Sequence, residues 1–264
     1  MKRLSFIVMF SGLLVPTLAA AQSVFDGTWK IDMSKVDFSK TPDVFVLQKG
    51  MYTCKSCAPP YKVKADGKDH VVRGHPYYDT VAIKVVDDHT IEETDKKAGQ
   101  VVATSHSTVS PDGETLDFSF VDSSNTNGGP AVTGRGQATR VAKGPEGSNA
   151  ISGSWRTTGI QGLSDNATVW SYKVNGEEIT MTARTGQIYR AKLNGPDAPM
   201  SGDPGVTSVS VKMMGANTLE ETDKRNGKVV SVFTMTVAGD GKSAKCSFDD
   251  KLQNKSTAFV AAKQ

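Results

Sequence analysis

The chain has 264 residues, of which 22% are charged and 38% hydrophobic, and its formal net charge is +3. Leaving Lys2 and Arg3 out of the 31 basic side chains sets 29 against 28 acidic ones, so the body of the protein is close to neutral. A nucleic-acid surface needs concentrated positive charge; none is visible, and no nucleic-acid partner is expected.

In chain order, Lys2 and Arg3 precede an almost unbroken apolar run from Leu4 to Val15, and Leu18-Ala19-Ala20-Ala21 then supplies small residues suited to cleavage. This pattern predicts a signal peptide over residues 1–21, too short for a membrane span. No later stretch approaches a transmembrane length, so no transmembrane segment is expected. The expected location is periplasmic or secreted, where disulfides persist.

The sequence from His89 to Val102 returns at Asn217 to Val230, with nine of fourteen positions identical at an offset of 128. The same offset carries Asp112-Gly113 onto Asp240-Gly241 and Phe120 onto Phe248. An internal repeat therefore organises the chain. The first copy opens at Phe25-Asp26-Gly27-Thr28-Trp29-Lys30 and the second at Gly153-Ser154-Trp155-Arg156. The expected division is a first repeat over 24–143, a linker over 144–150 rich in glycine and polar residues, and a second repeat over 151–263. Short runs of Val, Thr, Phe and Tyr are punctuated by Asp66-Gly67, Pro111-Asp112-Gly113 and Asn175-Gly176, and no sustained helical period occurs. The expected class is all-β, as two tandem antiparallel barrels or half-barrels.

The hairpin around Pro111 tests for a shared core. Alternation puts Ala103, Ser105, Ser107 and Val109 on one face, with Leu116, Phe118 and Phe120 returning on the same face. Pairing 109 with 114 would set Ser105 against Phe118 and Ser107 against Leu116. The equivalent pairs are Phe233 with Cys246 and Met235 with Ala244, so large and small residues exchange sides between the copies.

The two Gly-x-Trp openings resemble the first strand of lipocalins and fatty-acid-binding proteins. That resemblance implies an up-and-down barrel of about eight strands per copy, a small apolar ligand inside, and a tryptophan packing at a closed end. It also implies that Arg140, late in the first copy, stacks over Trp29; neither copy carries the helical lid of the intracellular binding proteins. The duplicated Glu-Glu-Thr-Asp-Lys hairpin more broadly resembles a family of exported bacterial proteins with a duplicated β-domain, which implies no particular activity.

Cys54 and Cys57 form the one compact chemical motif. Reversible redox use needs a following helix to stabilise a thiolate, and Pro59 and Pro60 oppose one. A zinc site needs a second ligand pair, and haem attachment needs histidine where Ala58 stands. A structural disulfide is expected, with Cys246 free. His70, His75, His89 and His106 all fall in the first copy without a metal-ligand spacing, so no metal or other cofactor is expected. The pairs Glu92-Glu93 and Glu220-Glu221 alternate across a strand and cannot straddle one glycosidic bond; with Lys96 and Lys224 close by, exposed salt bridging is the simpler reading. No catalytic residue emerges. Met181, Met213, Met214 and Met235 read as core, and Asn194 to Gly205 as a turn-rich loop.

Two functions remain open: an exported, non-enzymatic binding protein for a small apolar or amphipathic ligand, or a structural or interaction module of the cell envelope with filled cores and an unidentified protein partner. For the first, the expected ligand contacts are Ser105, Ser107 and Phe118 inside the first barrel, with His75, Tyr77 and Tyr78 at its mouth. The smaller residues of the first copy make its barrel the expected holder of a cavity.

Overall fold

The computed structural model describes residues 23–264; the expected signal peptide over 1–21 lies outside the described residues. Here the protein is all-β, built from two ten-stranded antiparallel sheets, one closed into a barrel and one nearly so. The chain opens with β1 (Gly27–Asp37), followed by β2 (Asp43–Gln48), β3 (Met51–Cys54), β4 (Tyr61–Lys64) and β5 (His70–Val71). Next come β6 (Thr80–Val85), β7 (Thr90–Lys97), β8 (Gln100–Val109), β9 (Thr115–Asp122), β10 (Val132–Lys143) and β11 (Gly153–Gln161). A short 3-10 turn at Asp165–Ala167 leads to β12 (Val169–Asn175), β13 (Glu178–Ala183), β14 (Ile188–Lys192) and β15 (Ala198–Ser201). The chain closes with β16 (Ser208–Met213), β17 (Thr218–Arg225), β18 (Lys228–Val237), β19 (Ser243–Asp250) and β20 (Lys255–Lys263).

The two barrels cut across the two sequence repeats. Strands β2 to β11 form the first barrel, in which β11 pairs with both β10 and β2. Strands β12 to β20 form the second, and β1 closes it between β20 and β12. Each Gly-x-Trp strand thus completes the barrel of the other repeat, which corrects the division into 24–143 and 151–263. The cause is chain continuity. A short connection returns β10 antiparallel into β11, so β11 stays beside its predecessor. No earlier described strand precedes β1, and it fills the gap between the last strand and β12. The expected linker over 144–150 is packed rather than loose: Asn149 and Ala150 donate their backbone N–H groups to Leu47 and Asp88 carbonyls at 2.9 and 3.1 Å.

The first barrel leaves β4 and β5 unpaired with each other. There the Gly67 N–H donates to the Ile83 carbonyl at 2.9 Å across the gap. Elsewhere the registers of the two barrels match. Glu93 faces Ser105 and Glu221 faces Phe233, with a bulge after Asp95 and after Asp223. Gly113 and Gly241 occupy equivalent turns, each donating its N–H three residues back at 2.9 Å.

One expected register is corrected. Ser110 N–H donates to the Thr115 carbonyl, which closes the turn one pair further out than assumed. Ser105 therefore faces Phe120 and Ser107 faces Phe118, while Phe233 faces Phe248 and Met235 faces Cys246. The exchange of large and small survives only for Ser107 with Phe118 against Met235 with Cys246. In the first barrel Phe120 and Phe118 lie over Gly134 and Gly136, where any side chain would collide with their rings.

Each barrel has its own apolar core, and Trp29 and Trp155 are among its most buried side chains. Trp155 Nε1 donates to the Ile151 carbonyl at 2.9 Å, and Trp29 Nε1 to the Phe25 carbonyl at 2.8 Å. Arg140 covers Trp155, not Trp29, with its guanidinium carbon 3.9 Å from the ring centre. The correction follows from β10 pairing with β11. Arg140 also donates to the carbonyls of Gly113, Ser152 and Ala150. Lys263 is its counterpart, 4.8 Å above the Trp29 ring and donating to the Val24 carbonyl at 3.0 Å. Both cores thus combine a buried indole with a cation that satisfies carbonyl groups.

The β7–β8 and β17–β18 turns need two successive residues at positive φ, as two-residue hairpins do. Asn226 and Gly227 take φ of 51° and 79°, while Ala98 and Gly99 take 49° and 81°. Alanine is strained there and asparagine is tolerated. Ala98→Asn is expected to stabilise the first barrel by about 1 kcal/mol. An unchanged urea midpoint would contradict this.

Candidate functional site

The inner face of β17 carries Leu219, Glu221 and Asp223 in alternation, and the equivalent face of β7 carries Ile91, Glu93 and Asp95. Sequence reasoning read both glutamate pairs as exposed salt bridging with Lys96 or Lys224. The lysines instead pair with Asp69 at 2.7 Å and Asp197 at 2.6 Å, and Glu92 on the outer face pairs with Lys84 at 2.9 Å. Glu93 and Glu221 point inward, and among the described residues no lysine pairs with them.

In the second barrel Glu221 is buried, and the hydroxyls of Tyr172 and Tyr189 both donate to its Oε1. Burial, with Asp223 adding to it, pushes the Glu221 carboxyl up to about 7 against those two hydrogen bonds. Burial likewise pushes Asp223 up to about 6, with Asp203 contributing and the Ser231 hydroxyl opposing. Ser231 Oγ donates to Asp223 Oδ2 at 2.8 Å, while Asp223 Oδ1 is buried without a partner. Among the described residues neither carboxyl group has an ion-pair partner.

Above these groups lies a cavity of about 240 Å³. Its walls include Trp170, Tyr172, Met181, Phe233, Phe248 and Phe259, with Glu221 and Asp223. Phe233 and Phe259 stack at 6.3 Å between centroids, and Trp170 stands perpendicular to them at 6.0 and 6.4 Å. The indole Nε1 of Trp170 is buried and has no hydrogen-bond partner among the described residues. Asn166 and Thr185 border the mouth, and the first barrel frames it. Asn166 Nδ2 donates to the Pro130 carbonyl at 2.8 Å, and Gln187 Nε2 to the Asn125 carbonyl at 2.7 Å.

The first barrel replaces this aromatic wall with Asp43, Ser105 and Gly136 at the positions paired like Trp170, Phe233 and Phe259. Its carboxyl pair is kept. Tyr61 Oη donates to Glu93 Oε1 at 2.9 Å, and Asp95 Oδ1 is buried without a partner. Burial raises Glu93, and burial together with Glu93 and Asp122 pushes Asp95 up to about 8.

Five of the six expected contact residues gather around that first interior. Ser105, Ser107 and Phe118 share its inner face with Glu93. His75 is buried, stacks on Tyr78 at 4.6 Å, and meets the Tyr61 ring edge-on at 5.6 Å. Burial, with Arg225 adding to it, lowers the His75 pKa. Tyr77 points elsewhere: its hydroxyl donates to Asp203 Oδ1 at 2.9 Å in the second barrel, and Asn125 Nδ2 reaches Asp203 Oδ2 at 3.0 Å. Asp203 comes from the long loop after β14, which contains the short strand β15 that turn residues concealed. The cavity described here opens into the second barrel, and a separate hollow of about 340 Å³ beside the first is lined by Glu93, Ser105 and Phe120 among others. Tyr52, Tyr61, His75 and Tyr78 form one aromatic cluster in the first barrel.

Sequence reasoning missed Glu221, Asp223, Trp170 and Phe259. The signal was present for the carboxyl pair: Glu-x-Asp two residues beyond an apolar residue on the inner face, kept in both copies. Cys54 and Cys57 form the expected disulfide at the β3–β4 turn, and Cys246 is free and buried. Burial, with Glu221 adding to it, pushes the Cys246 thiol up to about 12, which makes it unreactive. Among the described residues no group of three His, Cys, Asp or Glu side chains is placed to hold a metal ion. No helix among them is long and apolar enough to cross a membrane.

Fold and site together define a two-barrel protein with an aromatic cavity over uncompensated carboxyl groups. Compared with known proteins, the chain matches no family model and no curated relative.

Proposed function

We propose that the protein is an exported, lipocalin-like binding protein that holds one small amphipathic molecule in its second barrel. The observation that carries this reading is the 240 Å³ cavity walled by Trp170, Phe233, Phe248 and Phe259 and floored by polar groups. Binding cavities combine an apolar wall with a few convergent polar groups in this way. The volume suits a small ligand rather than a long acyl chain. The signal-like N-terminus and the Cys54–Cys57 disulfide support export to an oxidising compartment.

Titrating the protein with 1-hexanol tests this. The three tryptophans give three indole N–H resonances, and only that of Trp170 should shift saturably. Ala183 lines the cavity, so Ala183→Trp should weaken hexanol binding at least tenfold. Ser105→Phe, in the other barrel, should leave it unchanged. Loss of binding in the Ser105 variant alone would return the site to the first barrel and reject this assignment.

A further inference from the structure

We infer that the ligand of the second barrel carries a positive charge, as a protonated amine or a quaternary ammonium group, held by Glu221 and Asp223 with the aromatic wall around it. This rests on the binding reading above and specifies the chemistry of its ligand.

Three observations converge. Glu221 and Asp223 lie two residues apart on one face of β17, so both carboxyl groups enter the same cavity. Neither has a lysine, arginine or histidine in ion-pair contact among the described residues, and Asp223 Oδ1 has no hydrogen-bond donor. Burying a carboxylate without a counter-charge is costly; a cationic ligand would supply that counter-charge. The remaining wall is aromatic, and rings attract cations through their negative faces. Phe233 is the cross-strand neighbour of Glu221, and Phe248 is the neighbour of Phe233. Carboxyl group and rings therefore form one continuous row across the interior. A neutral ligand would use the rings and leave both carboxyl groups uncompensated, and an anion would be repelled.

Three probes of equal chain length separate these cases: hexyltrimethylammonium, 1-hexanol and hexanoate, each titrated against the Trp170 indole resonance at pH 8. Hexyltrimethylammonium is expected to bind at least tenfold more tightly than hexanol, and hexanoate more weakly than either. In a Glu221→Gln/Asp223→Asn variant, checked for cooperative unfolding, the ratio of cation affinity to hexanol affinity should fall below threefold. Equal binding of hexanol and the cation by the unmodified protein overturns the charge inference and leaves the cavity reading intact. A cation preference that persists in the double variant removes Glu221 and Asp223 from the role. Failure of every probe to move Trp170 rejects the cavity reading, and this inference with it.

Discussion

Trp29→Ala is expected to unfold the barrel built from residues 169–263 while sparing the one that follows Trp29 in sequence. Trp29 is fully buried in the second core, paired with Trp170 on β12 and Lys263 on β20. Removing so large a side chain from a packed interior costs ~3–5 kcal/mol, and it also frees Lys263 from its place over the ring. Hydrogen exchange followed by residue gives the readout. Protection should fall in β12 to β20 and persist in β2 to β10. Trp155→Ala should produce the mirror image, with Arg140 left uncovered and the first barrel weakened. Loss of protection in β2 to β10 on changing Trp29 would contradict the exchanged arrangement of the opening strands.

Thermal stability is expected to rise as the pH is lowered from 8 to 5. In the folded protein Asp95 is pushed up to about 8, Glu221 to about 7 and Asp223 to about 6, chiefly by burial, and Glu93 is raised as well. In the unfolded chain such carboxyl groups titrate near 4. Between these values the folded state holds protons that the unfolded state has released, so stability falls with rising pH. The contribution is complete below about pH 4 and lost as the pH climbs through the folded values. His75 acts in the opposite direction, since its lowered pKa favours the folded state above the ordinary histidine range, but it is one group against four. The exposed carboxylates with lowered pKa, such as Asp66 and Asp112, act only below this window. Glu221→Gln should therefore flatten the profile and stabilise the protein at pH 8 by about 2 kcal/mol, or several degrees in Tm. A midpoint that rises between pH 5 and 8 would contradict the protonated interior.

Alternation and turn chemistry carried the sequence reading a long way. Asp112-Gly113 and its copy at Asp240-Gly241 mark equivalent turns, and the all-β class and the Cys54–Cys57 disulfide follow from residues that act locally. Partnership between distant strands did not follow. Nothing in Gly27-Thr28-Trp29 says that its neighbours are β12 and β20, because either barrel would bury the same face of the strand. The register at Ser110 depended on one backbone hydrogen bond to Thr115 that the turn sequence does not encode uniquely. The candidate site was legible only in part. Ser105 and Phe118 were placed correctly on an inner face. Tyr52, Tyr61, His75 and Tyr78 come from elements far from that hairpin, and their packing together was not legible. Glu221 looked like a surface charge because lysine follows three residues later, and only the alternation from Leu219 marks it as internal.

The placement of β1 beside β20 also bears on how the molecule responds to force. Trp29 lies opposite Lys263 and Asp32 opposite Val260, and the Gln264 N–H donates to the Thr28 carbonyl at 2.9 Å. Tension applied at residues 23 and 264 therefore loads this antiparallel pair from one end. Its hydrogen bonds lie across the strands and break one after another, as in a zipper, rather than resisting together in shear. The second barrel opens first, at low load, and its cavity wall at Trp170 and Phe259 separates as β1 leaves. Once β1 has left, the first barrel, which lies between β1 and β12 along the chain, enters the line of force together with what remains of the second.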